Sequence, residues 1–187
     1  MYKCLITVGA GFIGSHLVDT LIEKTADIIV LDNFSSGRPQ NLDHVKDEIK
    51  IIESDISQPG QWQDLFEGVD KVFHLAALAD IVPSIENPEN YYLSNVNGIF
   101  NVLEACRKHN VKKFVYSASS SCYGIPDESP TQETAPEKDN NNYFKQLNNV
   151  PSSPWTVDDF SWLNNNYNDE YVLIERVLKD NNIHIIH

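Results

Sequence analysis

The sequence has 187 residues, with 27 acidic and 14 basic side chains and a formal net charge of −13 at pH 7. This length predicts one domain, or one domain with an appendage, and is sufficient to bury a core. Proteins that bind the nucleic-acid backbone usually carry a basic stripe, which this acidic chain lacks, so we expect no nucleic-acid partner.

The cysteines and the apolar runs indicate the compartment. Cys4, Cys106 and Cys122 are odd in number, lie in or beside apolar runs and lack metal-ligand spacing, so no metal site is predicted. They are typical of buried thiols in a reducing compartment. No apolar run approaches the ~18 residues of a membrane span, and the first strand begins too early for a signal peptide. We therefore expect a cytoplasmic protein without a membrane segment.

Strands and helices alternate over the first part of the chain. Continuous apolar runs predict strands at 4–8, 27–31, 49–53, 71–75 and 113–118. Helical periodicity predicts helices at 13–24, 60–67 and 94–109. This alternation is typical of an α/β fold with a doubly wound parallel sheet and helices on both of its faces.

The composition changes after about residue 138, where asparagines, prolines and serines crowd residues 139–168 and predict a loop. Residues 169–187 predict a helix and a short strand, which could complete the sheet as its sixth strand. This tail also loosely resembles residues 61–74, so a fragment of a second such domain or a rearranged gene product stays open. The predicted organisation is a domain at 1–138, the loop, and the C-terminal helix and strand.

A glycine-rich turn joins the first strand to the first helix. Gly9, Gly11 and Gly14 have the G-x-G-x-x-G spacing in the strand–turn–helix context that is typical of dinucleotide binding. Such a turn lets a pyrophosphate approach the backbone at the helix N-terminus. Asp32 ends the second strand about 20 residues later, where a carboxylate accepts from adenosine ribose hydroxyls and disfavours a 2′-phosphate. The pattern predicts NAD rather than NADP; an ordinary βαβ turn is the alternative.

Several short segments occur in the order typical of one enzyme family. They are 7–16, 31–37, 55–56, 72–77, 95–98, 101–105 and 116–124. On these segments, residues 1–138 resemble the extended short-chain dehydrogenase/reductases, in particular the NAD-dependent nucleotide-sugar epimerases and dehydratases, which include the UDP-glucose 4-epimerases. The resemblance covers about three quarters of the chain and implies an NAD-binding Rossmann-like domain.

The resemblance also implies which residues bind NAD. Those around the pyrophosphate are Gly9, Gly11, Phe12, Ile13 and Gly14. Those around the adenosine are Asp32, Asn33, Asp55 and Ile56. Those behind the fourth strand are Leu75, Ala76 and Ala77. Three assignments have structural alternatives. Asp55 could be a helix N-cap, and residues 117–121 could be only a polar strand end. We interpret His74 as a buried, hydrogen-bonded histidine rather than a catalytic residue.

Ser119 and Tyr143 are the catalytic residues that the resemblance implies. In the family, NAD takes a hydride from a sugar carbon and returns it, and the base is the tyrosine of a Tyr-x-x-x-Lys pair. A lysine at i+4 on the same helix face favours the phenolate. Here that position is Leu147, whereas Lys145 at i+2 would point away.

Val8 is a second departure, because the family usually has its first glycine there. A β-branched residue cannot adopt a positive φ cheaply. Val8 therefore either lowers cofactor affinity or, if the backbone there is extended, costs nothing.

Three functions stay open. The first is an NAD-binding domain whose catalysis is impaired by the missing lysine and by an absent substrate domain. The second is an active epimerase or dehydratase that uses Tyr143. The third is a non-catalytic interaction module. A nucleotide-sugar substrate is expected only if its pocket is completed, and a homodimer stays open.

Overall fold

A six-stranded sheet organises the part of the chain that the computed structural model describes, which is residues 2–24, 26–117, 130, 132 and 184–186. The strands are β1 (Lys3–Thr7), β2 (Asp27–Asp32), β3 (Lys50–Glu53), β4 (Lys71–His74), β5 (Lys113–Ser117) and β6 (His184–Ile186). Their order is β3-β2-β1-β4-β5-β6, and the pairs among the first five strands are parallel. The predicted α/β fold with a doubly wound parallel sheet is confirmed.

Helical segments connect these strands. The α-helices are α1 (Phe12–Glu23), α2 (Ile81–Glu86), α3 (Pro88–Tyr92) and α4 (Gly98–Lys108). Two 3₁₀-helices span Pro39–Leu42 and Gln61–Phe66, and a π-helical segment at Leu93–Asn97 leads into α4. Among the described residues, no helix is long and apolar enough to cross a membrane.

The predicted strands agree with the structure to within one residue at each end. The apolar runs of β1 and β2 are buried on both faces of the sheet, as in parallel sheets covered by helices, whereas β3 has no fully buried residue and β4 and β5 are only partly buried. On one face, Cys4, Ile6 and Val30 pack with Val18 of α1. Leu5 alternates with Cys4 and Ile6 along β1, so its equally buried side chain points to the other face.

Two helix predictions need correction. Where an α-helix was predicted at 60–67, the chain forms the 3₁₀-helix Gln61–Phe66, with Trp62 and Phe66 buried. The helix predicted at 94–109 consists of two parts: the π-helical segment Leu93–Asn97 and then α4, which begins at Gly98. The predicted loop at 139–168 and the helix near 170–179 lie outside the described residues.

Two further helices, α2 and α3, were missed by the sequence analysis. Pro83 lies in the first turn of α2 and Pro88 at the start of α3, where the missing N–H has no intrahelical partner to lose. The Asn87 side chain accepts a hydrogen bond from Asn90 N at 3.4 Å. Asn-Pro at an N-cap and first helical position is the signal that could have located α3.

The predicted burial is confirmed for the two cysteines that the structure describes. Cys4 and Cys106 are buried and form no disulfide. Burial raises the pKa of the Cys4 thiol to about 11 and raises the pKa of Cys106 further. Both thiols therefore stay protonated and pack as small apolar groups. Cys122 lies outside the described residues.

Candidate functional site

The carboxyl ends of β1 to β4 surround a cleft that is open to solvent. It lies where the strand order changes direction around β1, the position at which doubly wound sheets bind their ligands. Predicted site residues that line the cleft are Asp32, Asn33, Asp55, Ile56, Ala76 and Ala77. The sequence analysis assigned no site role to several other lining residues: Thr7, Leu31, Ser35, Ser36, Ser54, Leu78 and Ser94.

The Asp32 carboxylate is fixed at the end of β2. It is only 2% exposed, and its oxygens accept hydrogen bonds from Ala10 N at 3.0 Å and Phe34 N at 2.9 Å. A side chain at Gly37 would place its Cβ 2.6 Å from Asp32 Oδ2, so only glycine fits there without displacement. A carboxylate has about four acceptor positions, so Asp32 can still accept from hydroxyl groups in the cleft.

The glycine turn packs tightly between β1, β2 and α1. A Cβ at Gly14 would lie 2.2 Å from Val8 O, and a Cβ at Gly9 would lie 2.7 Å from the Val30 side chain. Gly11 precedes the first residue of α1, and no acidic side chain occupies the first helical turn. The free N–H groups and positive dipole end of this helix therefore suit an anion.

None of the five predicted pyrophosphate residues lines the cleft itself. Phe12 and Ile13 lie in the first turn of α1, and their side chains are 77% and 66% exposed. We therefore expect their backbone N–H groups, rather than their side chains, to contact a ligand. Gly9, Gly11 and Gly14 also lie outside the cleft lining, which reaches this turn at Val8.

Thr7 ties β1 to the segment that follows β4. Its Oγ1 accepts hydrogen bonds from Leu75 N at 3.0 Å and Ala76 N at 3.2 Å, and it lies 3.0 Å from His74 Nδ1. Since both amides donate to Oγ1, the hydroxyl proton is directed to His74 Nδ1, and the neutral ring then carries its proton on Nε2. Leu75, predicted to line the cofactor, is thus placed by Thr7 but lies outside the cleft lining.

His74 is a buried structural residue, as the sequence analysis interpreted it. It is 1% exposed and stacks on Phe114 and Tyr116, with ring centroids 5.8 Å away in each case. Burial lowers its pKa to about 4, because the charged form loses its hydration. The ring is therefore neutral at pH 7.

Two asparagines hold the walls of the cleft. Asn95, in the π-helical segment, donates to Leu78 O at 2.9 Å and accepts from Leu78 N at 2.8 Å. Asn101, buried in α4, donates to Ile56 O at 2.9 Å. Both occur in segments that carried the family resemblance, but the sequence analysis assigned them no role.

The helix N-cap alternative for Asp55 is wrong. Its Oδ1 accepts from Ser57 N at 2.8 Å within a turn, and no helix begins at that position. The side chain is exposed at the cleft, where it is available to a ligand.

The predicted catalytic residues Ser119 and Tyr143, together with Leu147, lie outside the described residues. Within the described part of the chain, no group of three or more His, Cys, Asp or Glu side chains could hold a metal ion.

The sheet order and the cleft at its switch point define a Rossmann-like α/β protein. The family described as the NAD dependent epimerase/dehydratase family matches residues 4–146. The chain belongs to this family, whose fold the structure shares.

Named relatives narrow the comparison. The UDP-glucose 4-epimerase of Bacillus subtilis is 36% identical over 138 residues, which is 71% of this chain and 41% of that protein. The structure of the UDP-Glc/GlcNAc 4-epimerase of Campylobacter jejuni gives a TM-score of 0.67 at 33% identity, covering 74% of this chain and 43% of that one. The structure of the UDP-glucose 4-epimerase of Brucella ovis, in complex with NAD, gives a TM-score of 0.65 at 31% identity. The match covers 74% of this chain and 42% of that one. The chain spans about two fifths of the length of the curated relatives it matches.

Replacing Thr7 by valine keeps the side-chain shape but removes the acceptor of two amide hydrogen bonds and the partner of His74. Because these groups are buried or half-buried, we expect a loss of about 1–3 kcal/mol in the free energy of unfolding. Urea denaturation measures this loss. Thr20→Val is the matched control, since the Thr20 hydroxyl donates to His16 O on an exposed helix face. Equal losses in the two variants would contradict the role of Thr7.

The buried His74 predicts that stability falls on acidification. Its folded-state pKa of about 4 lies below the usual 6.5, so between these values the unfolded state binds a proton that the folded state does not. The free energy of unfolding should thus decrease by about 3 kcal/mol as pH falls through this window, and this contribution levels off below pH 4.

Urea denaturation at pH 7.5, 5.5 and 4.5 tests this dependence. His74→Phe keeps an aromatic ring between Phe114 and Tyr116 but cannot titrate, so its pH dependence should be weaker, even if it is less stable throughout. An unchanged pH dependence in this variant would show that other groups cause the acid sensitivity.

Proposed function

We propose that the cleft binds NAD and that this chain carries the NAD-binding part of a nucleotide-sugar epimerase or dehydratase. The observation that carries the proposal is the buried Asp32 carboxylate, held by the glycine turn's own Ala10 N at the edge of the cleft. It places a hydroxyl-binding acceptor beside an anion-binding helix N-terminus, which is the combination that a dinucleotide requires.

The described residues fit NAD. Positions 9 and 14 have no room for a Cβ, so the turn brings its backbone close to α1, and Asp32 presents a fixed acceptor. When bound, NAD would supply a hydride acceptor, and the protein would supply binding and orientation. In this proposal Asp32 and Asn33 hold the adenosine ribose, Asp55 and Ile56 flank the adenine, and the N-terminus of α1 binds the pyrophosphate.

The charge of the cleft supports NAD over NADP. Its described lining includes the carboxylates of Asp32 and Asp55 and no lysine or arginine. A 2′-phosphate near Asp32 would meet a like charge without a neutralising partner, which costs binding free energy.

We further propose that sugar chemistry at this site is impaired. Ser119 and Tyr143 are the catalytic groups in this proposal, and Leu147 replaces the lysine that would favour the phenolate. An unperturbed phenol has a pKa near ~10 and is a weak base at neutral pH. Full activity with Tyr143 alone and a non-catalytic interaction module are the alternatives.

The protonated, buried Cys4 and Cys106 support a reducing compartment, and we propose the cytoplasm.

Asp32→Asn removes the carboxylate charge and one acceptor, so we expect NAD to bind about 10-fold more weakly or worse, and its preference over NADP to shrink. Isothermal titration calorimetry with each dinucleotide measures both effects. Asp27→Asn is the matched control, because it is the same substitution at the opposite end of β2, where the side chain is exposed. Equal affinities in both variants would contradict the proposed ribose contact, and absence of binding in the unaltered protein would contradict NAD binding.

Leu147→Lys tests the impaired chemistry. We expect turnover of UDP-galactose or UDP-N-acetylglucosamine, with added NAD, to rise at least ~10-fold, because an i+4 ammonium would lower the pKa of the Tyr143 hydroxyl. Asn148→Lys is the control, since at i+5 it adds the same charge on a different face of the expected helix. Substantial turnover by the unaltered chain would favour the active enzyme, and no turnover in any variant that still binds NAD would favour the interaction module.

A further inference from the structure

Val8 has a backbone conformation that its side chain disfavours. Its φ is +55°, in the left-handed region, where β-branched residues are rare because Cβ crowds the backbone. Phe34 and Asn110 are the other described non-glycine residues with positive φ, and neither is β-branched. The alternative that Val8 is extended is therefore wrong.

Hydrogen bonds on both sides of the residue hold this conformation. Val8 N donates to Leu31 O at 2.7 Å, and Val8 O accepts from Gly11 N at 3.2 Å. The same carbonyl oxygen lies against the start of α1, 2.2 Å from where a Cβ on Gly14 would stand. Relaxing Val8 to an extended conformation would break these contacts, so the glycine turn retains the strain.

Val8 lines the cleft where the glycine turn meets it. It is half-buried, it lines the cavity between the ends of β2 and β4, and its Cγ1 lies 3.1 Å from the position of a Cβ on Gly11. Its methyl groups therefore occupy the space beside the turn that a glycine would leave open. A ligand lying from Asp32 toward the first turn of α1 must pass this side chain.

We infer that Val8 is the residue that limits dinucleotide affinity in this chain, because its branched side chain stands beside the glycine turn at the cleft lining and the hydrogen-bonded turn holds the backbone that carries it. The inference rests on the proposed function, since it takes NAD as the occupant. It assigns a weakened affinity to one side chain rather than to a general loss of the site.

Three substitutions in the full chain separate strain from occupancy. Val8→Gly removes both, Val8→Ala removes the Cγ atoms but keeps an L-residue at positive φ, and Val8→Thr keeps the branched shape. Without ligand, Val8→Gly should melt above Val8→Ala by roughly 2–4 °C, because glycine alone adopts this φ without penalty. Differential scanning calorimetry measures this difference.

The affinities follow from occupancy. Calorimetric titration should give a Kd for NAD about 10-fold lower in Val8→Gly than in the unaltered protein, with Val8→Ala also lower and Val8→Thr unchanged. Equal Kd values in all four proteins would overturn the inference and leave the proposed function standing. A Val8→Gly protein that melts no higher than Val8→Ala would overturn the strain that holds the side chain in place. No binding in any of the four would contradict the proposed function, and the inference with it.

Discussion

The close approach of the turn after β1 to the first turn of α1 is the constraint on which the cleft depends. Val8 O and Gly9 Cα would both lie within 3 Å of a Cβ on Gly14, so the two backbones meet without an intervening side chain. This contact brings Ala10 into position to donate to Asp32 and to accept from Arg38 N. One steric requirement thus fixes the helix start, the β2 carboxylate and the loop after it.

The strands could be predicted because each contains a continuous apolar run, and in β1 and β2 that run is buried on both faces of the sheet. Apolar periodicity could not predict the helices α2 and α3, because neither contains a buried residue, and Ile81 and Val82 are exposed. Apolar periodicity reports which side chains face a core, and these helices have no core-facing stripe. For residues 60–67, the i, i+4 spacing of Trp62 and Phe66 favours an α-helix, since a 3₁₀-helix aligns residues three apart, so the pattern pointed to the wrong helix type.

The site was predictable to the extent that residue type limits its chemistry. Asp32, Asp55 and Ala76 were predicted from strand ends and family motifs, and they line one cleft. The roles of Thr7 and Asn95 were not predicted, because their hydrogen-bond partners are backbone groups remote in sequence, which no local pattern reveals. The conformation of Val8 also depends on tertiary contacts. The sequence shows a β-branched residue in the turn, but only the fold shows that hydrogen bonds keep it at a positive φ.

The hydrogen bond between Thr7 and His74 joins residues 67 positions apart, and it has a consequence for the order of folding. Loop closure over such a distance costs chain entropy before any contact repays it, so parallel pairings of this kind form late. The first βαβ unit can assemble locally, whereas the β4 side of the cleft must wait for its strand. During synthesis, a ribosome-bound chain would therefore have its glycine turn formed before the β4 side of the cleft, which can form only after the segment through Ala76 has emerged.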